Sequence, residues 1–189
     1  NSDTCLSSVL VNDTTNPVAV CQDLTIQLDA FGSASITSAD VDNGSSDVCG
    51  LQSLAIDISS FDCSNIGSGN TVTLTVTDEN SNSATCTTTV NIFDTVAPAI
   101  TCPANQTQSL GAGCVVALAN YTSLATTSDN CGSIASVTQS PPAGTSILGE
   151  TTTTVTLTVT DTNGNQNTCD FDVITVDTTD PAITCPADI

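Results

Sequence analysis

The 189-residue chain contains no Lys, Arg, His, Met or Trp, against 18 Asp and 2 Glu, and its formal charge is −20. Without an imidazole or amine there is no Ser-His, Cys-His or Schiff-base chemistry, and paired carboxylates are the one acid/base option left. Without a basic side chain nothing holds phosphate, so nucleic acid is excluded as a partner, as are anionic membrane surfaces.

A hydrophobic content of 39% rich in Val, Ile and Leu is enough for a core. No apolar run approaches the ~20 residues that span a bilayer, so no membrane insertion is expected. Ten Cys in a small acidic chain fit an oxidising, extracellular compartment, and with no His and no Cys-x-x-Cys pair they do not fit zinc. The start at Asn1, with no signal segment, reads as a processed or excised portion of something longer.

Residues 1–12 space Val9 and Val11 as a strand does, and residues 1–25 correspond to 165–189 at an offset of 164. They are expected to be the closing strand of a preceding repeat. DTTNP at 13–17 is the first of three Pro-stiffened linkers, followed by DTVAP at 94–98 and DTTDP at 177–181. The octapeptide TVTLTVTD occurs at 71–78 and again at 154–161, the mark of an internal repeat. The expected organisation is a closing strand and linker at 1–17, repeats at 18–94 and 95–177, and at 178–189 a linker with the first strand of a following repeat.

Within the repeats, Leu24/Ile26/Leu28, Leu54/Ile56/Ile58, Val72/Leu74/Val76 and Val90/Ile92 alternate with polar neighbours, the two-residue period of half-buried strands. No stretch keeps a helical period, and Gly, Asn, Asp and Ser mark the turns. The spacing predicts an all-β fold of tandem immunoglobulin-like β-sandwich domains with almost no helix. Phe31, Phe61, Phe93 and Phe171 are expected in the core or in turns.

In such a sandwich the first and last strands run side by side from one pole, so Cys21 is expected to bond Cys86 and Cys102 to bond Cys169. The remaining pairs inside each repeat are Cys49 with Cys63 and Cys114 with Cys131, leaving Cys5 and Cys185 for external partners. A competing scheme joins Cys5–Cys21, Cys86–Cys102 and Cys169–Cys185, each 16 residues apart.

The blocks TVTDENSNSATC with DTVAPAITCP, and TVTDTNGNQNTC with DTTDPAITCP, resemble the hyalin repeat, or HYR, family. The second repeat matches best, carrying AITCPANQT, GCVVAL and SDNCG. The first departs from the pattern, with CQDLTIQLD for the Cys-Pro opening, no early-strand Cys, and Cys63 in FDCSN instead. It is similar to variant repeats of very large bacterial surface proteins. The resemblance implies an immunoglobulin-like fold, a role in adhesion or surface fibres at a bacterial cell surface, and no enzymatic activity.

The loops after the second and sixth strands are expected to share a pole with the incoming linker. That would gather Asp13, Asp40, Asp42, Asp47, Asp78 and Glu79 in the first repeat, and a poorer set, Asp94, Asp129 and Asp161, in the second. Hard oxygen ligands at a domain junction are what Ca²⁺ requires; the competing reading is that they form turns and keep the surface soluble. Asn12, Asn43, Asn105 and Asn120 begin N-x-Ser/Thr sequons, and Thr14, Thr95 and Thr178 in the linkers resemble bacterial O-glycosylation sites. A carboxylate dyad could serve glycoside hydrolysis, but aromatic sugar platforms are lacking.

The first functional expectation is a structural segment of an extracellular fibre or adhesin stalk. Its partners would be neighbouring copies of itself or adjacent repeats of the same chain. The alternatives are a Ca²⁺-dependent module adhering to a glycan or surface receptor, and the stalk of a secreted enzyme.

Overall fold

The computed structural model describes residues 3–132 and 134–185. It comprises two compact units, Asn1–Asp94 and Thr95–Ile189. The first contains β1 (Leu24–Gln27), β2 (Ser33–Ser35), β3 (Leu51–Ile56), β4 (Ser60–Asp62), β5 (Gly67–Asp78) and β6 (Ser83–Phe93). The second contains β7 (Ala99–Thr101), β8 (Gln106–Ser109), β9 (Val115–Ala117), β10 (Thr126–Ser128), β11 (Ile134–Ser140), β12 (Ser146–Leu148), β13 (Thr152–Asp161) and β14 (Gln166–Val176). Among the described residues, helix is confined to Ser38–Val41 and two 3₁₀ turns, Cys63–Asn65 and Thr122–Leu124.

The two units repeat one topology. In the first, β1, β6, β5 and β3 lie side by side while β2 pairs β4; in the second, β8, β14, β13 and β11 take the same order while β9 pairs β12. β7 pairs β10 in the second unit, and the isolated bridge Val18↔Ser46 stands where Ala99↔Ser128 does. The fold is an all-β sandwich of immunoglobulin type, stapled by disulfides.

Alternation in the two octapeptides sets the core. Val72, Leu74, Val76, Val155, Leu157 and Val159 are all 0% exposed, while the intervening threonines face outward. Each such side chain contributes about 1.5–3 kcal/mol relative to exposure. A slip of one residue would turn all of them to water. In the second unit Phe171 meets Tyr121 edge to face at 5.3 Å, and the Tyr121 hydroxyl donates to Gln108 Oε1 at 3.0 Å. Burial raises the Tyr121 pKa. Phe61 joins Phe171 in being buried, whereas Phe31 lies exposed in a turn and Phe93 is half exposed. Ile58 falls beyond the end of β3 and is 40% exposed.

β1 runs parallel to β6, from Leu24↔Val90 to Gln27↔Phe93, and β8 runs parallel to β14. That topology brings the preceding Cys21 to Cys86 on β6, with Cα atoms 5.9 Å apart, and Cys102 to Cys169 on β14, at 5.7 Å. The scheme joining cysteines 16 residues apart is thereby overturned.

The expected pairs Cys49–Cys63 and Cys114–Cys131 do not form: Cys49 and Cys114 are exposed free thiols, whereas Cys63 and Cys131 are disulfide-bonded. The reason is strand direction. Cys49 precedes β3, whose Leu51 registers with Asp78, while Cys63 precedes β5, whose Gly67 registers with Ile92 at the other end of the sheet. At about 3.3 Å per residue a six-residue strand separates such poles by roughly 20 Å. Cys114 and Cys131 are divided likewise, since Cys114 O accepts from Gly149 N near the start of β13 and Cys131 lies before β11, whose Ile134 registers with Asp161 at the end of β13.

Residues 3–12 form no strand and expose Leu6 (99%), Val9 (83%), Leu10 (93%) and Val11 (87%). Cys5 and Cys185 are exposed free thiols. Residues 181–185 form no strand; the rest of the strand expected there, 186–189, lies outside the described residues.

Candidate functional site

Each sandwich gathers acidic side chains at the pole where its linker enters. Two devices build this pole. The first is the β5–β6 hairpin, TDENSN, and its counterpart TDTNGN between β13 and β14. Asp78 Oδ1 accepts from Asn80 N (2.9 Å) and Asn82 N (2.7 Å), and its Oδ2 from Asn82 Nδ2 (2.7 Å). Asp161 repeats the clamp with Asn163 N, Asn165 N and Asn165 Nδ2, each at 2.8 Å. These bonds let Asp78 and Asp161 lie buried, at 0% and 2% exposure, because a buried carboxylate needs several donors. The turn requires a positive φ, met by Gly164 at 92° and, at some strain, by Ser81 at 70°.

The second device is a register shift. β3 breaks pairing with β5 between Leu51 and Ser53, and β11 breaks pairing with β13 between Ile134 and Ser136. Such bulges bend a strand and re-aim the loop before it. Here those loops carry Asp47 and Asp129. Asp47 Oδ1 accepts from Cys49 N at 2.7 Å and Asp129 Oδ2 from Cys131 N at 3.0 Å, so the two loops share one geometry.

In the first unit, ligand atoms of Asp13, Asp47 and Cys49 all lie within 4.8 Å of one another. Asn82 ties in the linker by donating from Nδ2 to Asp13 O at 3.2 Å. The backbone N–H of Thr15 and then the Cys49 thiol, both donating to Asp13, hold its carboxyl below the usual range. Reciprocally, its bond to Asp13, the charge there and the nearby Asp47 and Asp78 charges push the Cys49 thiol up. One repeat on, the carboxylate oxygens of Asp94, Asp129 and Asp161 lie within the same 4.8 Å. For Asp161, burial raises the pKa but the donors from Asn165, Asn163 and Gly164 outweigh it, and the net direction is down.

The expected gathering is therefore corrected in the first repeat, while in the second the three expected residues do meet. Asp40 stands apart, its Oδ2 accepting from Thr37 N and Oγ1 at 2.7 Å as the cap of Ser38–Val41. Asp42 accepts from Gly44 N and Ser45 N to close its turn. Both have lowered pKa values, Asp40 through the Thr37 backbone and hydroxyl, Asp42 through the Ser45 hydroxyl. Glu79 is exposed on the hairpin tip, outside the three-ligand group. The second repeat, expected to be the poorer, holds the all-carboxylate cluster. Sequence reasoning missed Cys49 as an acid-cluster neighbour and Asn82 and Asn165 as clamps; the shared Asp-x-x-x-Asn spacing of both hairpins was the available signal.

The second cluster suits a hard divalent cation. Asp129 Oδ1 is buried and accepts no hydrogen bond. At an effective dielectric of about 20, two unit charges at that separation repel by roughly 3 kcal/mol, and the chain has no basic side chain to neutralise them. Three carboxylates would supply part of the six to eight oxygens that Ca²⁺ takes. The residues expected to carry glycans are all exposed. Thr14, Thr95 and Thr178 are exposed in the linkers, as are Asn12, Asn43, Asn105 and Asn120, although Asn105 Oδ1 accepts from Asp172 N and Asn120 Oδ1 from Thr122 N.

Residues 93–175 match the HYR domain. The chain is 30% identical over 194 aligned residues to hyalin of Strongylocentrotus purpuratus, covering 98% of this chain and 16% of that protein. The chain thus spans about a sixth of that relative's length. Among solved structures, mouse clustered PcdhgC3 EC1-3 aligns over 86% of this chain and 68% of its own, at 17% identity and a TM-score of 0.38. The fibronectin(III)-like modules of Clostridium thermocellum CbhA align over 89% and 97%, at 12% identity and a TM-score of 0.34.

Proposed function

We propose, from the match of residues 93–175 to the HYR domain, that this chain is a non-enzymatic, extracellular adhesion-type repeat segment whose sandwiches stack head to tail in a surface fibre or stalk. The observation that carries this is the exposed apolar run Leu6, Val9, Leu10 and Val11. In the repeat it corresponds to β14, where Val173, the counterpart of Val9, is 0% exposed. Such a segment gains by pairing with another sandwich, through β-strand addition. The sandwich it joins would belong to a neighbouring copy or to an adjacent repeat of the same chain. A head-to-tail contact of this kind does not close on itself and so propagates.

Negative-stain micrographs and sedimentation of the full chain at physiological salt test this reading. Strings of regularly spaced units are expected, with Val9→Asp/Val11→Asp shifting the material to monomer. A wild-type chain that stays monomeric at every concentration would leave the fibre reading without support.

A second reading, Ca²⁺-dependent adhesion to a glycan or receptor, is favoured by the orphan Asp129 Oδ1 in its three-carboxylate cluster. Cation binding raises stability by RT ln(1 + [L]/Kd), about 2.7 kcal/mol at a hundredfold excess over Kd. Millimolar CaCl₂ should therefore raise the melting temperature of the second unit by several degrees over EGTA, and Asp129→Asn should abolish the rise. Identical melting in CaCl₂ and EGTA would return these residues to the role of turn formers.

A further inference from the structure

We infer that Cys49 of one copy of this chain and Cys114 of the next form an intermolecular disulfide, locking successive copies head to tail; the inference rests on the stacking proposed above. Its basis is that each sandwich, besides its staple, presents one cysteine at each pole, and that of these four, one of each kind is already bonded.

At the entry pole the pair is Cys49 and Cys131. Each follows an aspartate by two residues and donates its backbone N–H to that side chain, Cys49 to Asp47 at 2.7 Å and Cys131 to Asp129 at 3.0 Å. They occupy one structural position. Cys131 is disulfide-bonded, whereas Cys49 is a free, exposed thiol.

At the exit pole the pair is Cys63 and Cys114. Cys63 Sγ lies 3.8 Å from the carbonyl oxygen of Gly32, and Gly32 is the residue to which Cys114 corresponds. Both close the same turn before the first strand of the pairs β2–β4 and β9–β12, in Asp29–Ser33 and Gly111–Val115, and both have positive φ, 71° for Gly32 and 59° for Cys114. The two sulfurs therefore sit at one corner of their respective sandwiches. Cys63 is disulfide-bonded, and Cys114 is free and exposed.

The fold thus shows that both corners can be engaged in disulfides, and leaves one entry-type and one exit-type thiol accessible. Copies stacked head to tail would bring the exit corner of one to the entry corner of the next, so that Cys114 meets Cys49 of the following copy. A cavity of about 380 Å³ beside Cys114, lined by Gly111, Ala112, Gly113, Asp177, Thr179 and Asp180 among others, leaves room for an incoming loop. Covalent closure also suits the charge: with no Lys, Arg or His, no ion pair between side chains can hold two copies together.

The step is an ordinary thiol–disulfide exchange with a small disulfide such as oxidised glutathione. One cysteine thiolate displaces glutathione thiolate to give a mixed disulfide, and the second protein thiolate then displaces the other glutathione. Two protein thiols become one disulfide, and one oxidised glutathione becomes two reduced ones.

The test uses the full chain carrying Cys5→Ser and Cys185→Ser, which removes the other two free thiols, with oxidised glutathione present. Non-reducing gels should show a ladder in steps of one chain. Adding Cys49→Ser or Cys114→Ser should collapse the ladder to monomer in each case. An equimolar mixture of those two variants should give dimer and stop there, because each contributes one complementary thiol. Digestion at Asp, since trypsin has no site, should recover the Cys49 peptide linked to that of Cys114. Either single variant dimerising alone as fully as the mixture, or a mixture that stays monomeric, would overturn the inference. Strings in the micrographs without the Cys49–Cys114 peptide would overturn this link alone and leave the stacking intact.

Discussion

Leu157→Ala is expected to cost the second unit about 3–5 kcal/mol, through lost transfer energy and the cavity left behind. Leu157 is 0% exposed on β13 and packs in the cluster of Leu118, Tyr121, Ile147, Val155, Phe171 and Val173. Strands of a sandwich are held from both faces, so the site cannot readily collapse. For a unit of this size each kcal/mol moves the melting temperature by roughly 4–8 °C, which puts the change well within reach of calorimetry. The chain's single Tyr, Tyr121, is buried against Phe171, and there is no Trp. Tyrosine fluorescence therefore reports unfolding of the second unit specifically. Thr158→Ala, one residue on and outward-facing, should change stability by no more than about 0.5 kcal/mol. Equal losses from the two substitutions would show that the strand register is wrong.

Joint replacement of Cys102 and Cys169 by serine should lower the stability of the same unit by about 4 kcal/mol, if the crosslink acts by restricting the unfolded chain. The bond closes a loop of 67 residues across the parallel pair β8–β14. Those strands share only a four-residue register, Val173↔Gln106 to Val176↔Ser109. A short parallel edge in a small sandwich has few other contacts to hold it, so the crosslink is a large share of net stability. Reduction of the wild-type protein should reproduce the loss, observed as earlier unfolding by Tyr121 fluorescence. A decrease below about 1 kcal/mol would mean the unfolded chain is already compact there and that the loop-entropy account does not apply.

The contrast between the cysteines also shows where linear reading stops. Cys21 with Cys86 and Cys102 with Cys169 could be placed from topology, because a sandwich whose first and last strands run parallel has one way to bring their starts together. Cys49 and Cys63 are only fourteen residues apart in the chain, yet β3 lies between them and carries one to each pole. The acidic residues obey the same rule. Asp40, Asp42 and Asp47 are near neighbours in sequence, but the first two spend their carboxylates on local N–H donors of a cap and a turn, and Asp47 alone reaches Asp13. In the second repeat Asp94, Asp129 and Asp161 are dispersed along the chain and converge in space.

Local pattern and composition were therefore enough for the periodic part: strand alternation, the repeat, the exclusion of imidazole and amine chemistry, and the two long-range disulfides that follow from strand direction. These depend on local patterns of period two and on composition, which one chain states in full. Which side chains meet at a pole came from the folded chain: the bulges that aim Asp47 and Asp129, the asparagine clamps that let Asp78 and Asp161 be buried, and the sorting of Cys49, Cys63, Cys114 and Cys131 onto opposite ends. The physical reason is that a strand converts a few residues of sequence into some 20 Å of distance, while a hairpin or bulge reverses it, so proximity at the poles is set by the sum of strand lengths and turns.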